Sequence, residues 1–128
     1  IGNIFKADGG SVKLTKSNKT IHFLFEVIRR EQDWQKKLIE KMNLYKDFYE
    51  NFVPGDSGFS SLPQLILVCE DEKNMAESFK ELVTNNIEIP QIKFLFTTDL
   101  RQNEETLVEF KLVDGKYKME NVELKLIG

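Results

Sequence analysis

Two acidic residues near the start of the chain have the spacing of a paired carboxylate site. Asp8 lies in a turn-forming run of small residues, and Glu26 follows one hairpin's length later in a strand-like segment. A hairpin that turns at Ser17 and Asn18 brings the two carboxylates together at one edge of a sheet, on the order of 5–8 Å apart. Mg²⁺ prefers carboxylate oxygens, and in phosphodiester chemistry it activates water and stabilises the leaving oxygen. Asp8 and Glu26 are therefore predicted to bind Mg²⁺.

The register of this hairpin decides whether the two carboxylates meet. A turn centred between Ser17 and Asn18 pairs residues whose numbers sum to 35, which places Asp8 opposite Val27 and next to Glu26. A shift of one residue would reverse the face to which each side chain points. The sequence therefore also permits a simpler interpretation, in which Asp8 only makes a turn with the following glycines and Glu26 pairs with a nearby arginine.

The hydrophobic pattern downstream predicts an α/β fold with a mixed sheet. The second hairpin strand alternates, yet both of its faces are largely apolar, which indicates an interior strand. An apolar stripe then predicts an amphipathic helix with Asp33 as its N-cap. A strand, a second helix and another strand form a βαβ unit, and a turn at Asp114 and Gly115 closes a C-terminal hairpin. Strands are predicted at about 20–28, 65–69, 92–97, 106–113, 116–119 and 122–127, and helices at about 33–51 and 72–86.

Composition places the chain among ordinary globular proteins. The 128 residues suit a single domain, residues 1–128, and they are 41% apolar with a net charge of −3. This net negative charge argues against binding of nucleic acid through bulk electrostatics. A single cysteine, Cys69, fits a reducing, cytoplasmic location, and no apolar stretch approaches the length that a membrane span needs. Because the chain begins at Ile1 and not at methionine, we expect it to be the C-terminal part of a longer protein.

The order of elements, with an acid on each strand of the N-terminal hairpin, resembles the core of the PD-(D/E)XK, or restriction-endonuclease-like, nucleases. That family has Pro-Asp at one strand and Glu-x-Lys on the next. Here Ala7-Asp8 stands where Pro-Asp would, and Glu26-Val27-Ile28 stands where Glu-x-Lys would. The lysine position is therefore occupied by isoleucine.

Residues 3–98 are more closely similar to the C-terminal half of the replication-relaxation, or mobilisation, proteins of plasmids and conjugative elements. The resemblance implies a degenerate restriction-endonuclease-like fold, a role in DNA replication or conjugation, and partners that include DNA and other replication or transfer proteins. It also implies an N-terminal winged-helix DNA-binding domain outside this chain. The shared elements are Asp8-Gly9, Glu26-Val27-Ile28-Arg29, Lys36-Lys37-Leu38 through Tyr45, and Pro63-Gln64-Leu65-Ile66-Leu67-Val68.

Basic residues after Glu26 supply the remaining site candidates. The resemblance implies that a lysine on the first helix, with Lys37 as the candidate, could replace the lysine that Glu-x-Lys would provide. Nearby basic side chains are predicted to bind nucleic-acid phosphates, or else to form a solvated helix face with intrahelical ion pairs. The predicted phosphate-binding residues are Arg29, Arg30, Lys36 and Lys41.

Three functions remain open on the sequence alone. The favoured one is a nuclease-like domain without efficient catalysis that acts through DNA or protein contacts. The second is an active Mg²⁺-dependent nuclease in which Asp8, Glu26 and Lys37 are catalytic. The third is a structural interaction module in which the acids have no chemical role. The separation of the two carboxylates, and the identity of the cation nearest to them, would discriminate among the three.

Overall fold

The computed structural model describes residues 11–16, 19–55, 59, 61–103, 106–114 and 116–123. Within these ranges the chain forms one mixed sheet of six strands whose spatial order follows the sequence order. The fold is therefore α/β, as predicted. The strands are β1 Ser11–Lys16, β2 Lys19–Val27, β3 Gln64–Cys69, β4 Leu95–Thr98, β5 Thr106–Val113 and β6 Lys116–Glu123, and the helices are α1 Trp34–Glu50, α2 Glu72–Thr84 and α3 Asp99–Asn103.

Strand pairing confirms the predicted hairpins and the βαβ unit. β1 and β2 are antiparallel, and their register pairs Ser11 with Leu24 and Lys16 with Lys19, so that paired numbers sum to 35. β2, β3 and β4 run parallel, whereas β4, β5 and β6 are antiparallel neighbours. Asp8 lies outside the described residues, so its predicted position beside Glu26 stays a prediction.

Helices α1 and α2 cover the same face of the sheet. Each connects two neighbouring parallel strands in the same spatial direction, and right-handed crossovers of this kind place both helices on one side. The main core cluster accordingly joins alternate residues of the central strands to the apolar stripes of the helices. Its members include Leu24, Ile28, Leu65, Leu67 and Phe96 from strands and Leu38, Met42, Tyr45, Tyr49, Met75, Phe79 and Leu82 from helices.

The opposite face of the sheet is also buried at its centre. Phe23, Ile66, Leu95 and Leu107 form a second cluster, and each is at most 5% exposed. Phe23 and Leu24 are consecutive and both buried, which confirms that β2 is an interior strand with two apolar faces.

The helix ends depart from the sequence prediction in ways that local backbone explains. Asp33 precedes α1 as expected, but it adopts φ 60° and its side chain makes no capping hydrogen bond. Asp71 instead caps α2 by accepting from the backbone N–H of Asn74 at 2.7 Å. Helix α2 ends at Thr84, before the predicted position 86, because Asn86 enters the left-handed region with φ 54°.

Three further elements differ from the prediction. Strand β4 starts only at Leu95, since the chain after Pro90 forms turns, and it is followed by the short helix α3, which was not predicted. The predicted separate strand at 122–127 is wrong in its described part, because β6 continues without interruption to Glu123. None of the helices in the described part of the chain combines the length and the apolar character needed to cross a lipid bilayer.

Leucine substitutions test the assigned core. Leu67 lies on the central strand β3 and is 1% exposed, whereas Leu100 on α3 is 70% exposed. Leu67→Ala is expected to lower the free energy of unfolding by about 2–5 kcal/mol, because it leaves a cavity in packed surroundings. Leu100→Ala is expected to change it by less than about 0.5 kcal/mol. Urea denaturation followed by circular dichroism measures both, and equal effects at the two positions would contradict the assigned packing.

Candidate functional site

Glu26 is the buried carboxylate at the centre of the candidate site. It lies near the carboxyl end of β2, between Leu24 and Ile28 on the face that the helices cover. Its exposure is only 3%. An ionised carboxylate in such a place is stable only when opposite charge and hydrogen-bond donors surround it. The neighbours of Glu26 therefore determine what it can do.

Two side chains of α1 hold the Glu26 carboxylate. The Lys41 ammonium lies 3.3 Å from Oε1, and the Tyr45 hydroxyl donates a hydrogen bond to Oε2 at 3.0 Å. Lys41 and Tyr45 are four residues apart, so they lie one above the other on the same face of the helix. Tyr45 is completely buried. We call Glu26, Lys41 and Tyr45 the Glu26 clamp.

A cavity of about 330 Å³ opens beside this clamp, between the end of β2 and the first half of α1. Its lining is mixed in character: three basic side chains, three acidic ones and an apolar wall that includes the indole of Trp34. The lining residues are Glu26, Val27, Ile28, Arg29, Glu31, Trp34, Lys37, Leu38, Glu40, Lys41 and Leu44. The cavity lies at the carboxyl end of the parallel strand β2, on the face of the sheet that α1 covers.

The lysine that contacts Glu26 is Lys41. Lys37, which was predicted to take this place, lines the same cavity, but its ammonium lies 3.6 Å from a carboxylate oxygen of Glu31, with both side chains largely exposed. Lys36 is exposed and does not line the cavity. Lys41 could have been recognised from the sequence as a neighbour of Tyr45 on the same helix face, because it stands four residues before it. Spacing alone does not show how α1 is rotated about its axis, and that rotation decides which lysine faces Glu26.

The two arginines after β2 bind carboxylates of other elements. Arg29 donates to Asp99 Oδ1 at 3.0 Å and to the carbonyl oxygen of Ile28 at 2.9 Å. This contact joins the end of β2 to the start of α3. In the alternative interpretation of the sequence, Glu26 would pair with Arg29 or Arg30, whereas the two arginines form ion pairs with Asp99 and with the acids around the start of α2.

Arg30 forms the densest ionic cluster in the described part of the chain. Its guanidinium donates to Asp71 from both terminal nitrogens at 3.0 Å and to Glu77 from Nε at 3.1 Å, and its backbone N–H donates to Glu70 at 3.0 Å. The hydrogen bonds from Arg30, and then that from the Asn74 N–H, hold the pKa of Asp71 below its ordinary value of 3.8. The cluster therefore ties the β2–α1 connection to the start of α2.

Arg101 makes a comparable link that the sequence did not reveal. Its Nε donates to Glu72 at 2.8 Å, and its Nη1 donates to the side-chain oxygen of Asn121 at 3.0 Å. These contacts connect α3 with the start of α2 and with β6. Partners that lie 20 to 29 residues apart in sequence leave no local signal, because nothing in the spacing of the residues marks them.

The remaining chemically interesting side chains lie away from the cavity. Burial raises the pKa of the Cys69 thiol to about 12, so it stays protonated at neutral pH and is not a nucleophile. His22 packs edge-on against Phe59 with ring centroids 5.1 Å apart. Among the residues that the structure describes, no three His, Cys, Asp or Glu side chains come together to hold a metal ion. Because Asp8 is not among those residues, the predicted Mg²⁺ site stays a prediction.

Comparison with known proteins returns no relative: no family model, no curated protein and no solved structure matches the chain. The geometry of the described residues therefore has to support any functional proposal.

Removal of the lysine tests whether the Glu26 clamp holds an ionised carboxylate. Lys41→Met is expected to lower the free energy of unfolding by about 1–3 kcal/mol, because it leaves a buried carboxylate with less compensation. The double variant E26Q/K41M removes both charges, so we expect it to be more stable than K41M alone. Urea denaturation at pH 7 compares four proteins, wild type, K41M, E26Q and the double variant. A double variant that loses the full sum of the two single losses would refute the pairing.

The Arg30 cluster predicts a specific dependence of stability on pH. The pKa of Asp71 is lower in the folded protein than its ordinary 3.8. The contribution of ionised Asp71 to the free energy of unfolding is therefore complete above about pH 3.8 and is lost as the pH falls through the folded pKa. Arg30→Gln is expected to lower the urea midpoint at pH 7 and pH 5, and the difference from wild type is expected to shrink at pH 3. Arg29→Gln, with a single carboxylate partner, serves as the control. A difference for R30Q that stays constant from pH 7 to pH 3 would show that Asp71 does not depend on Arg30.

Proposed function

We propose that this chain is a nuclease-like domain with degenerate catalysis, which serves replication, relaxation or mobilisation of plasmid or conjugative DNA through DNA or protein contacts. One observation supports it most. Glu26, at the position of the second acid in the resembled nucleases, is buried at the end of a parallel strand and lines a cavity. The parallel arrangement of β2, β3 and β4 is compatible with the resemblance.

Two features argue that catalysis is degenerate. Ile28, where the resembled nucleases have lysine, is 6% exposed and belongs to the apolar core. The charge of Glu26 is also already balanced by Lys41 at 3.3 Å, so that a Mg²⁺ ion would have to compete with an ammonium group for the carboxylate. In this proposal the domain is cytoplasmic, and a winged-helix domain supplies much of the affinity for DNA.

An active Mg²⁺-dependent nuclease is the second candidate. The observation that favours it is the ammonium of Lys41 beside Glu26, because the resembled nucleases need a lysine next to their second acid. In this version Asp8 and Glu26 hold Mg²⁺, and a lysine of α1 assists, either Lys37 as predicted or Lys41 as its contact suggests. Because Arg29 and Arg30 already bind carboxylates within the chain, DNA in either version would be contacted through other surfaces of the protein.

Manganese binding and DNA cleavage discriminate between these functions. For the degenerate domain we expect little or no cleavage of duplex or single-stranded DNA with Mg²⁺ or Mn²⁺, and calorimetry with Mn²⁺ should show the same weak heat for wild type and Glu26→Ala. Glu50→Ala, at an exposed position on α1, is the control for loss of one negative charge. Cleavage that depends on Mn²⁺ and disappears in E26A and K41M would replace this proposal by the active nuclease.

A further inference from the structure

Strand β6 forms one edge of the sheet among the strands that the structure describes. Asp114 has φ 51°, the left-handed conformation that a two-residue hairpin turn requires, and the hairpin closes on the pair Val113 and Lys116. From this closing pair, hydrogen-bonded and non-hydrogen-bonded pairs alternate along the two strands. The backbone N–H and C=O groups of Met119 and Asn121 therefore point away from β5. An edge of this kind can pair with a further strand.

The charged residues of the β5–β6 hairpin are arranged as like-charged pairs. The register places Glu109 opposite Glu120 and Lys111 opposite Lys118, and like charges directly opposite one another destabilise a sheet. The two β6 members, Lys118 and Glu120, are exposed. A neighbouring strand that presents a lysine beside the two glutamates and a glutamate beside the two lysines would complement both pairs.

Met119 gives the same edge an exposed apolar side chain. It pairs with Phe110, whose ring stacks on Phe79 of α2 with the centroids 4.6 Å apart, so Met119 lies on the face of the sheet that carries the helices. Its exposure is nonetheless 54%. Lys118 and Glu120, on either side of it in sequence, lie on the other face because successive side chains of a strand alternate. The edge thus combines an apolar contact on one face with both signs of charge on the other.

We propose that β6 is a homodimer interface, in which the β6 strands of two copies of this chain pair antiparallel about a two-fold axis at Met119. In this register each Lys118 lies opposite Glu120 of the other copy, and the two Met119 residues exchange backbone hydrogen bonds. A shift of two residues, the smallest that keeps the outward-pointing groups paired, would set Glu120 against Glu120 or Lys118 against Lys118. This preference depends on the signs of the charges. The interface goes beyond the proposed function and does not depend on it.

Sedimentation equilibrium of the whole chain tests whether the dimer forms. At low salt and chain concentrations up to about 0.5 mM, we expect reversible association to a dimer with a dissociation constant below about 0.3 mM, the weak affinity of a small interface. A chain that stays monomeric at about 0.5 mM overturns the proposal. Oligomers larger than a dimer also overturn it, because a two-fold interface closes at two copies.

Charge reversal on β6 identifies the interface and its register. Lys118→Glu and Glu120→Lys are each expected to weaken the dimer about tenfold, because each sets like charges opposite one another at two places. An equimolar mixture of the two variants is expected to dimerise as tightly as wild type, since the facing positions then carry opposite charges. Lys80→Glu and Glu50→Lys, at exposed positions on α2 and α1, are the matched controls and are expected to leave association unchanged. Variants that associate like wild type, or a mixture that does not recover, overturn the proposal.

A measurement on the wild-type chain does not depend on how the variants fold. In a mixture of isotopically labelled and unlabelled chain, intermolecular nuclear Overhauser contacts are expected between the Met119 side chains of the two copies, because cross-strand neighbours at a hydrogen-bonded pair lie about 5.5 Å apart at Cα. A dimer that lacks these contacts is formed through another surface and overturns the proposal.

Discussion

The burial of one carboxylate under helix α1 is the interaction on which the arrangement of this domain depends. Glu26 lies on the covered face of an interior strand, where an uncompensated charge would cost several kcal/mol, on the order of the whole stability of a small domain. The compensation comes from Lys41 and Tyr45, both on α1. Satisfying both oxygens at once fixes the rotation of α1 and its position along β2. The apolar stripe of the helix is thereby directed at the sheet.

A second set of charged side chains forms ion pairs at the same end of the sheet. Arg29, Arg30 and Arg101 each bind a carboxylate at the start of another helix, so the connections that follow β2, β3 and β4 are held together. The arginines that were predicted to bind DNA phosphates therefore have intramolecular partners, and the described lining of the cavity has as many acidic as basic side chains.

Local patterns in the sequence were enough to predict most of the fold but little of the candidate site. The polar turn at Ser17 and Asn18 and the alternation of β2 were sufficient for the correct hairpin register, and the run after Pro63 was recognisable as a buried parallel strand. The contacts of Glu26 were not predictable, because they depend on how α1 rotates against the sheet. The arginine partners were missed because their separations reach 70 residues. The pairing of Asp8 with Glu26 stays a prediction.

Nuclear magnetic resonance of the lysine ammonium groups tests the central claim most directly. With ¹⁵N-labelled protein, the Nζ protons of Lys41 are expected to exchange slowly with water and to show nuclear Overhauser contacts with the Glu26 and Tyr45 side chains, as a hydrogen-bonded ammonium against a buried carboxylate would. The exposed Lys37 on the same helix is expected to show neither property. A Lys41 ammonium that exchanges as fast as that of Lys37, with no contact to Glu26, would contradict the account.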